Sequence, residues 1–386
     1  VVLNYRIIGN PGEHNLQLNP LEAMRLAIEI AKKGTGFVSP NPLVGCVILS
    51  SDGELLAQGF HERIGEAHAE VQALAQIDDP EKLRGAHLYV TLEPCSHQGR
   101  TPACAVKLAT LPIASVTYGL KDPNPLVSGQ GAEILCKAGI SVREMPELKD
   151  ELEDLAEVFL TNMRSHRTFV TMKVAASLDG QIGLATGESQ WITSAASREH
   201  VQYLRGAHDA VLVGANTFMR DNPRLNSRNT LFAEKEQKVV LVDPSGRTTE
   251  RLIESELLKV RPMSSIFLVT RPGVKLSNHF DSIQHLEINE QDGILPWPLI
   301  LAKLYENGIG SVFVEGGAYV YSQLLQASMV DRLFIYLAPK IIGAKGGLSW
   351  TQGLKIDQLN QALQLRRIHT RTFGPDVLFT GRFLAH

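Results

Sequence analysis

The chain has 386 residues, 44% of them hydrophobic, with 38 Lys and Arg against 41 Asp and Glu, a formal net charge of −3. This composition excludes a largely disordered chain and gives no general pull toward nucleic acid, while the length favours two domains over one core. Four cysteines do not make a disulfide framework. No apolar run reaches a membrane span, and the start lacks the basic flank and apolar core of a signal peptide, so the expectation is a cytoplasmic protein.

Residues 1–18 show no sustained period and read as an irregular arm. Asn19 and Pro20 then supply an N-cap and a first helical position, and Leu21, Met24, Ala27, Ile28 and Ala31 form an apolar stripe that stops at Gly34. A loop, Ser39-Pro40-Asn41-Pro42, leads to a strand over 44–49, and Ser51-Asp52-Gly53 turns the chain into a second strand over 55–60. His68 and Glu70 open a helix. A buried strand over 88–92 delivers Glu93-Pro94-Cys95, and Thr101-Pro102 reads as a second cap that puts Cys104 in the first turn of a helix. A strand over 116–119, a helix over 132–137 and a strand over 140–143 complete the half. Strands alternating with helices imply an α/β sandwich with largely parallel pairing.

One imidazole and two thiolates, His68, Cys95 and Cys104, suit zinc and leave a fourth tetrahedral position for water. Glu70, two residues after the His, is placed to handle that water's protons, the signature of zinc deaminases acting on nucleobases. A His-x-Glu triplet alone is common by chance. Joined to two cysteines at helix starts a βαβ interval away, it points to catalytic zinc rather than structural zinc, for which His97 is the only nearby fourth ligand. Eight residues, 96–103, separate the cysteines where the general signature has two.

The helix over 147–164 is charged and amphipathic, and the join falls near Ser165. A strand over 170–174 leads to the turn Ser177-Leu178-Asp179-Gly180; Thr193 or Ser194 caps a helix that ends at Arg205. Short apolar strands follow at 210–213, 239–242, 266–269 and 312–314. Behind the last, Glu315-Gly316-Gly317 opens a helix over 318–325, and such a glycine pair lets backbone N–H groups approach a phosphate. It is not the G-x-G-x-x-G fingerprint.

The motifs His68-Ala69-Glu70, the run from Thr91 to Cys104, Asp122-Pro123-Asn124-Pro125, Gly187-Glu188-Ser189-Gln190-Trp191-Ile192-Thr193, Asp221-Asn222-Pro223, Val314-Glu315-Gly316-Gly317 and Gly374-Pro375-Asp376 resemble the bifunctional riboflavin-biosynthesis deaminase/reductase family. The resemblance implies an N-terminal cytidine-deaminase-like three-layer domain over 19–165 and a C-terminal dihydrofolate-reductase-like domain over 166–386. It implies zinc and NADPH as cofactors, a small pyrimidine ribosyl phosphate as substrate, neither nucleic acid nor membrane as partner, and a homo-oligomer. Asn41, His61, Gly65 and the loop from His97 to Arg100 would then belong to the deaminase pocket. Ala175, Trp191, Thr217, Asp221, Gly317, Ala318, Tyr319, Val320, Tyr321, Ser322 and Gln323 would hold the cofactor. Ser189, Arg205, Leu225, Arg228 and Glu315 would hold the substrate, arginines because the guanidinium fork matches phosphate oxygens. After Asp243 the family has a small hydroxyl residue, whereas here Pro244 comes first and Ser245 second.

No acid–base pair stands out for hydride transfer, which needs mainly positioning; Asp179 and Glu315 are the charged candidates. The rival reading is a zinc deaminase of RNA or nucleosides with a non-catalytic nucleotide-binding module behind it. The near-neutral charge and the long cysteine insert argue against it.

Overall fold

A computed structural model of the chain describes residues 16–96, 103–124 and 128–383. The chain divides into two units, Val1–Met163 and Arg164–His386. In the first, Asn19 caps α1 (Pro20–Ala31) with a full capping box: its side chain accepts from the Leu21 and Glu22 amides, and Glu22 takes the Asn19 N–H. Then come β1 (Gly45–Leu49), β2 (Leu55–Phe60), α2 (Ala69–Leu74), β3 (His87–Leu92), α3 (Cys104–Leu108), β4 (Ser115–Leu120), α4 (Gln130–Lys137), β5 (Ser141–Glu144), α5 (Lys149–Leu155) and α6 (Glu157–Ser165).

The five strands form one sheet in the order β2-β1-β3-β4-β5. Alternate side chains feed two cores: Cys46, Ile48, Leu88 and Val90 face one layer, Val47, Leu49 and Tyr89 the other. Only β3, β4 and β5 are parallel, while β1 is antiparallel to both its neighbours, which corrects the expectation of largely parallel pairing. The short turn after β1 forces a hairpin. The helix expected over 147–164 breaks at Ala156 into α5 and α6. Leu152 packs against Gly119 of β4, and Phe159 reaches the cavity described below.

The second unit holds β6 (Phe169–Ser177), β7 (Gln181–Leu184), α7 (Ala195–Ala207), β8 (Ala210–Gly214), α8 (Ala215–Asp221), β9 (Lys238–Val242), α9 (Thr249–Ile253), β10 (Ile266–Thr270), β11 (Gln284–Glu287), α10 (Trp297–Glu306), β12 (Ser311–Val314), α11 (Ala318–Gln326), β13 (Arg332–Ala338), β14 (Gly347–Ser349), β15 (Leu365–Phe373) and β16 (Asp376–Phe383). Nine strands make one sheet, ordered β11-β10-β9-β8-β12-β6-β13-β16-β15, with β7 and β14 paired separately. From β11 to β13 all pairs are parallel; β16 and β15 add an antiparallel edge. Helices α10 and α11 cover one face, with Leu301, Leu304, Tyr321 and Leu324 in its core, and α7, α8 and α9 the other, with Leu204, Phe218 and Leu252. Among the described residues, no helix is long and apolar enough to cross a membrane.

Candidate functional site

In the first unit, His68 is the N-cap of α2 and Glu70 lies in its first turn, buried to 4% exposure. The helix sits so close to β2 that a Cβ on Gly59 would stand 2.4 Å from the Ala73 nitrogen. Cys95 follows β3. Its sulfur accepts the Cys104 N–H at 3.3 Å, and its carbonyl accepts the Ala105 N–H, so it is tied to the first turn of α3. Helix α3 begins at Cys104 with Ala103 as N-cap; the expected Thr101-Pro102 cap and His97 lie outside the described residues.

His68 Nδ1 stands 3.6 Å from Cys95 Sγ and 3.4 Å from Cys104 Sγ. Nitrogen at 2.0–2.1 Å and sulfur at 2.3 Å around a tetrahedral zinc stand about 3.6 Å apart, so these donors fit one ion. They are the only such ligating group among the described residues. The Cys104 hydrogen bond, and then that of His68, pulls the Cys95 thiol well down, while the same bond to Cys95 and burial push Cys104 up. His68 is raised by its bond to Cys95, and Glu70 is raised by burial.

His68, Glu70 and Cys95 open on a cavity of about 220 Å³ lined also by Asn41, His61, Glu93, Asp122 and Phe159. His61 Nδ1 faces the Ala67 carbonyl at 3.2 Å, which can only accept, so Nδ1 carries the proton and Nε2 accepts the Asn41 amide at 3.1 Å. Burial lowers the pKa of His61 and keeps it neutral. Gly65, at φ +82°, is a turn residue between these contacts and α2. Neither Asp122 nor Phe159 is a site residue by sequence reasoning; Asp122 belongs to a quoted motif, and Phe159 reads as core packing.

A further residue is invisible to the pattern. Glu93, 4% exposed, accepts the Asp122 N–H at 3.3 Å, the Gly129 N–H at 3.0 Å and the Ala132 N–H at 3.2 Å. It thus ties the strand end bearing Cys95 to the start of α4 and to the Asp122 loop. A carboxylate before Pro-Cys is the only signal for it.

In the second unit, a cavity of about 620 Å³ lies along the C-terminal ends of β8, β9 and β12. Gly316 packs against β8, where a Cβ would stand 2.7 Å from the Val213 Cα, and Gly317 takes φ +54°. Thr217, Gly317, Ala318, Tyr319, Val320 and Gln323 line the cavity. Tyr321 and Ser322 turn inward: the Tyr321 hydroxyl donates to the Lys173 carbonyl at 2.7 Å and Ser322 Oγ to the Gln352 carbonyl at 2.6 Å. Asp221 ends α8 in a 2.8 Å ion pair with Arg220. Ala175 lies on β6. Trp191 is 62% exposed beneath the Arg198 guanidinium, and Ser189 packs against Gly183.

Arg205 and Glu315 form a bidentate ion pair, with Arg205 Nη2 at 3.0 Å from Oε2, and Lys173 Nζ stands 3.8 Å from the same carboxylate. Burial alone would raise Glu315, but the two cations outweigh it and hold its pKa below the usual range; burial lowers Lys173. Lys173 was findable as the one charge inside the apolar run of β6. Arg205 Nη1 also donates to the Asn226 carbonyl at 3.2 Å, next to the buried Leu225. Arg228 is not brought to this cluster; it lines a separate cleft with Arg198 and Gln202. Asp179 accepts from Ser177 Oγ and from the Ile342 and Gly343 amides, bonds that pull its pKa down to about 2. It is a loop anchor rather than a proton donor.

A deaminase joined to a nucleotide-dependent reductase is the class that these two units define. Residues 19–120 match the cytidine and deoxycytidylate deaminase zinc-binding region, and residues 168–379 match the RibD C-terminal domain. The chain is 37% identical over 377 residues to the riboflavin biosynthesis protein RibD of Actinobacillus pleuropneumoniae, covering 94% of each chain. It is 38% identical over 363 residues to that of Escherichia coli K12, covering 92% of this chain and 96% of that one. Acinetobacter baumannii RibD (form 1) superposes with a TM-score of 0.82 at 33% identity. The Thermotoga maritima diaminohydroxyphosphoribosylaminopyrimidine deaminase/5-amino-6-(5-phosphoribosylamino)uracil reductase gives 0.79 at 34%. Each covers 94% of this chain and 98% of the other.

The chain belongs to the RibD family, the bifunctional deaminase/reductases of riboflavin biosynthesis. Its first half carries the cytidine and deoxycytidylate deaminase zinc-binding region, its second the RibD C-terminal domain, and its cofactors are zinc and NADPH.

Proposed function

We propose that the domain over 19–165 deaminates 2,5-diamino-6-ribosylamino-4(3H)-pyrimidinone 5′-phosphate to the uracil, and that the domain over 166–386 reduces the ribosyl group to a ribityl chain. The observation that carries this is one buried carboxylate, Glu70, beside three donors spaced for zinc in a cavity of pyrimidine size. His68, Cys95 and Cys104 hold the metal. Zinc, when bound there, supplies Lewis-acid activation of water near neutral pH. Glu70 takes a proton from the attacking water and gives it to the ring nitrogen beside the amino-bearing carbon; it then takes the second proton, from the hydroxyl now on that carbon, and gives it to the amine, so that the C–N bond breaks, ammonia leaves and the C=O bond forms. Asn41 and His61, locked together, present fixed polar edges to the ring.

In the second domain Thr217, Gly317 and Gln323, on the wall of the 620 Å³ cavity, would hold NADPH, which would supply the hydride when bound. Glu315, negative between Arg205 and Lys173, accepts hydrogen bonds from the sugar hydroxyls and fixes the ribosyl carbon for attack. Near-neutral charge supports a small-molecule substrate rather than nucleic acid, and four free cysteines are in keeping with the cytoplasm. A homo-oligomer is supported by the nine-residue strand β15, which among the described residues has no strand paired on its outer side and lies beside exposed Ile368 and Phe379.

Glu70→Gln tests the reading. Ammonia release should vanish while NADPH oxidation on the pre-deaminated substrate persists; loss of both in a folded protein, or of neither, contradicts it.

A further inference from the structure

Arg261, on the segment that leads into β10, is a buried guanidinium without a counter-ion. It is 9% exposed; among the described residues no carboxylate stands within ion-pair distance of it, Glu236 acts on it only at longer range, and its Nε has no hydrogen-bond partner. Burial first, and then the like charge of Arg205, brings its pKa down to about 10. An unpaired buried cation is destabilising, and an apolar side chain of similar volume would fill the place more favourably. What the guanidinium adds is a fork that spans two carbonyls. Nη1 donates to the Gln237 carbonyl at 2.6 Å and Nη2 to the Arg224 carbonyl at 2.9 Å.

Both carbonyls lead to Arg205. The Gln237 side chain donates to the Arg205 carbonyl at 2.7 Å and to the His208 carbonyl at 3.3 Å, so it grips the last turn of α7, from which Arg205 projects. Arg224 stands two residues before Asn226, whose carbonyl accepts Arg205 Nη1 at 3.2 Å. Between these two carbonyls Leu225 is buried at φ +50°, a left-handed conformation that a bulky side chain keeps only where its surroundings impose it. The Arg224 side chain turns outward to Glu256 at 2.9 Å, and Ser227 closes the loop on α7 through the Gln202 carbonyl at 2.7 Å. One arm of Arg261 thus fixes the main chain of Arg205, and the other fixes the carbonyl that orients its side chain.

We infer that Arg261 is a positioning residue for the reduction: by spanning the Gln237 and Arg224 carbonyls it holds the Arg205 fork square on Glu315. This rests on the reading of Glu315 as the group that fixes the ribosyl carbon. The consequence is electrostatic. Burial raises Glu315, and Arg205 on α7 together with Lys173 on β6 outweighs it; Tyr321 on α11 and Tyr336 on β13, whose hydroxyls burial pushes up, also face it. Once the Asn226 carbonyl swings away, Arg205 turns from Glu315 and leaves Lys173 as the one cation against it. The carboxylate then takes up its proton at a higher pH.

The test is the pH profile of NADPH oxidation on the pre-deaminated substrate by the full-length, zinc-loaded protein, in the parent, Arg261→Met and Arg261→Lys. Arg261→Met keeps the bulk and removes both donors; Arg261→Lys keeps the stem and the charge and lacks the fork. In Arg261→Met, kcat/KM should fall about 10²-fold, the effect of a misplacement of about 1 Å, and the acid limb of the profile should move to higher pH. Arg261→Lys should recover part of the rate and bring the limb back toward the parent's. Ammonia release, and NADP⁺ affinity by calorimetry, should match the parent in both variants. A rate lost with the limb unmoved, or NADP⁺ affinity lost in step with it, makes Arg261 a residue of stability alone and overturns the inference. So does full reduction by Arg261→Met, or failure of both variants to fold. Glu315→Gln separates the two claims: full reduction by that variant overturns the reading of Glu315 and the inference with it, whereas an inactive Glu315→Gln beside a fully active Arg261→Met overturns the inference alone.

Discussion

Replacing Gly131 with alanine tests how the zinc-ligand loop is held. Gly131 is the second residue of α4, and a Cβ built there would stand 2.0 Å from the Pro94 carbonyl oxygen, against the 3.0 Å that real Cβ contacts keep. Either α4 or the Pro94-Cys95 backbone must give by at least about 1 Å. Helix α4 cannot leave freely, because Glu93 grips the Gly129 and Ala132 amides from the strand side. The displacement should therefore reach Cys95 and, through the bond to its sulfur, Cys104. A 1 Å error in a catalytic constellation can cost about 10²-fold, or about 2.7 kcal/mol of barrier. The assay is ammonia release by the zinc-supplemented full-length variant, with NADPH oxidation on the deaminated substrate as control. The second rate should match the parent. Undiminished ammonia release from a folded Gly131→Ala protein would refute the argument that α4 buttresses the metal loop.

Glu315→Gln leaves Arg205 and Lys173 buried without their counter-ion, which costs about 3–5 kcal/mol and lowers Tm on the order of 10 °C. NADPH oxidation should be lost while ammonia release continues; calorimetry and the two assays check it. His208 gives a pH signature. Its Nδ1 donates to the Leu204 carbonyl and its Nε2 accepts the Thr171 hydroxyl, and burial depresses its pKa to about 4 from 6.5. The folded chain favours the neutral ring, so this stabilisation is complete above pH 6.5 and is lost as the pH falls toward 4, by about 3 kcal/mol in total. Denaturation midpoints compared between parent and His208→Gln should diverge above pH 6.5 and converge toward pH 4.

The zinc site was legible because its chemistry is written in residue types: an imidazole, two sulfurs and an acid at helix starts have few other uses together. The three-dimensional spacing adds donor distances compatible with one ion and two residues that periodicity hides, Asp122 and Phe159. Glu93 escapes pattern reasoning because a carboxylate that binds backbone amides leaves no mark at the partners' positions. Asp179 shows the converse: an acid in a conspicuous motif proves to hold a loop. Strands β15 and β16 were missed because Leu365–Phe373 carries arginines, histidine and threonines on both faces, with no apolar side to alternate against. The hairpin at Gly374, at φ +60°, is what forms them. The antiparallel β1 was a matter of connectivity, since a strand's sequence states its faces and not its neighbours.

The most direct measurement is zinc-edge X-ray absorption on the purified full-length protein and on its Glu70→Gln and Cys104→Ser variants. The parent and Glu70→Gln should each hold one zinc with two sulfurs at about 2.3 Å and nitrogen or oxygen at about 2.0–2.1 Å, Glu70→Gln failing only to release ammonia. Cys104→Ser should lose one sulfur. Four protein ligands on the metal, or two sulfurs surviving in Cys104→Ser, would contradict the assignment of His68, Cys95 and Cys104 as an open catalytic set.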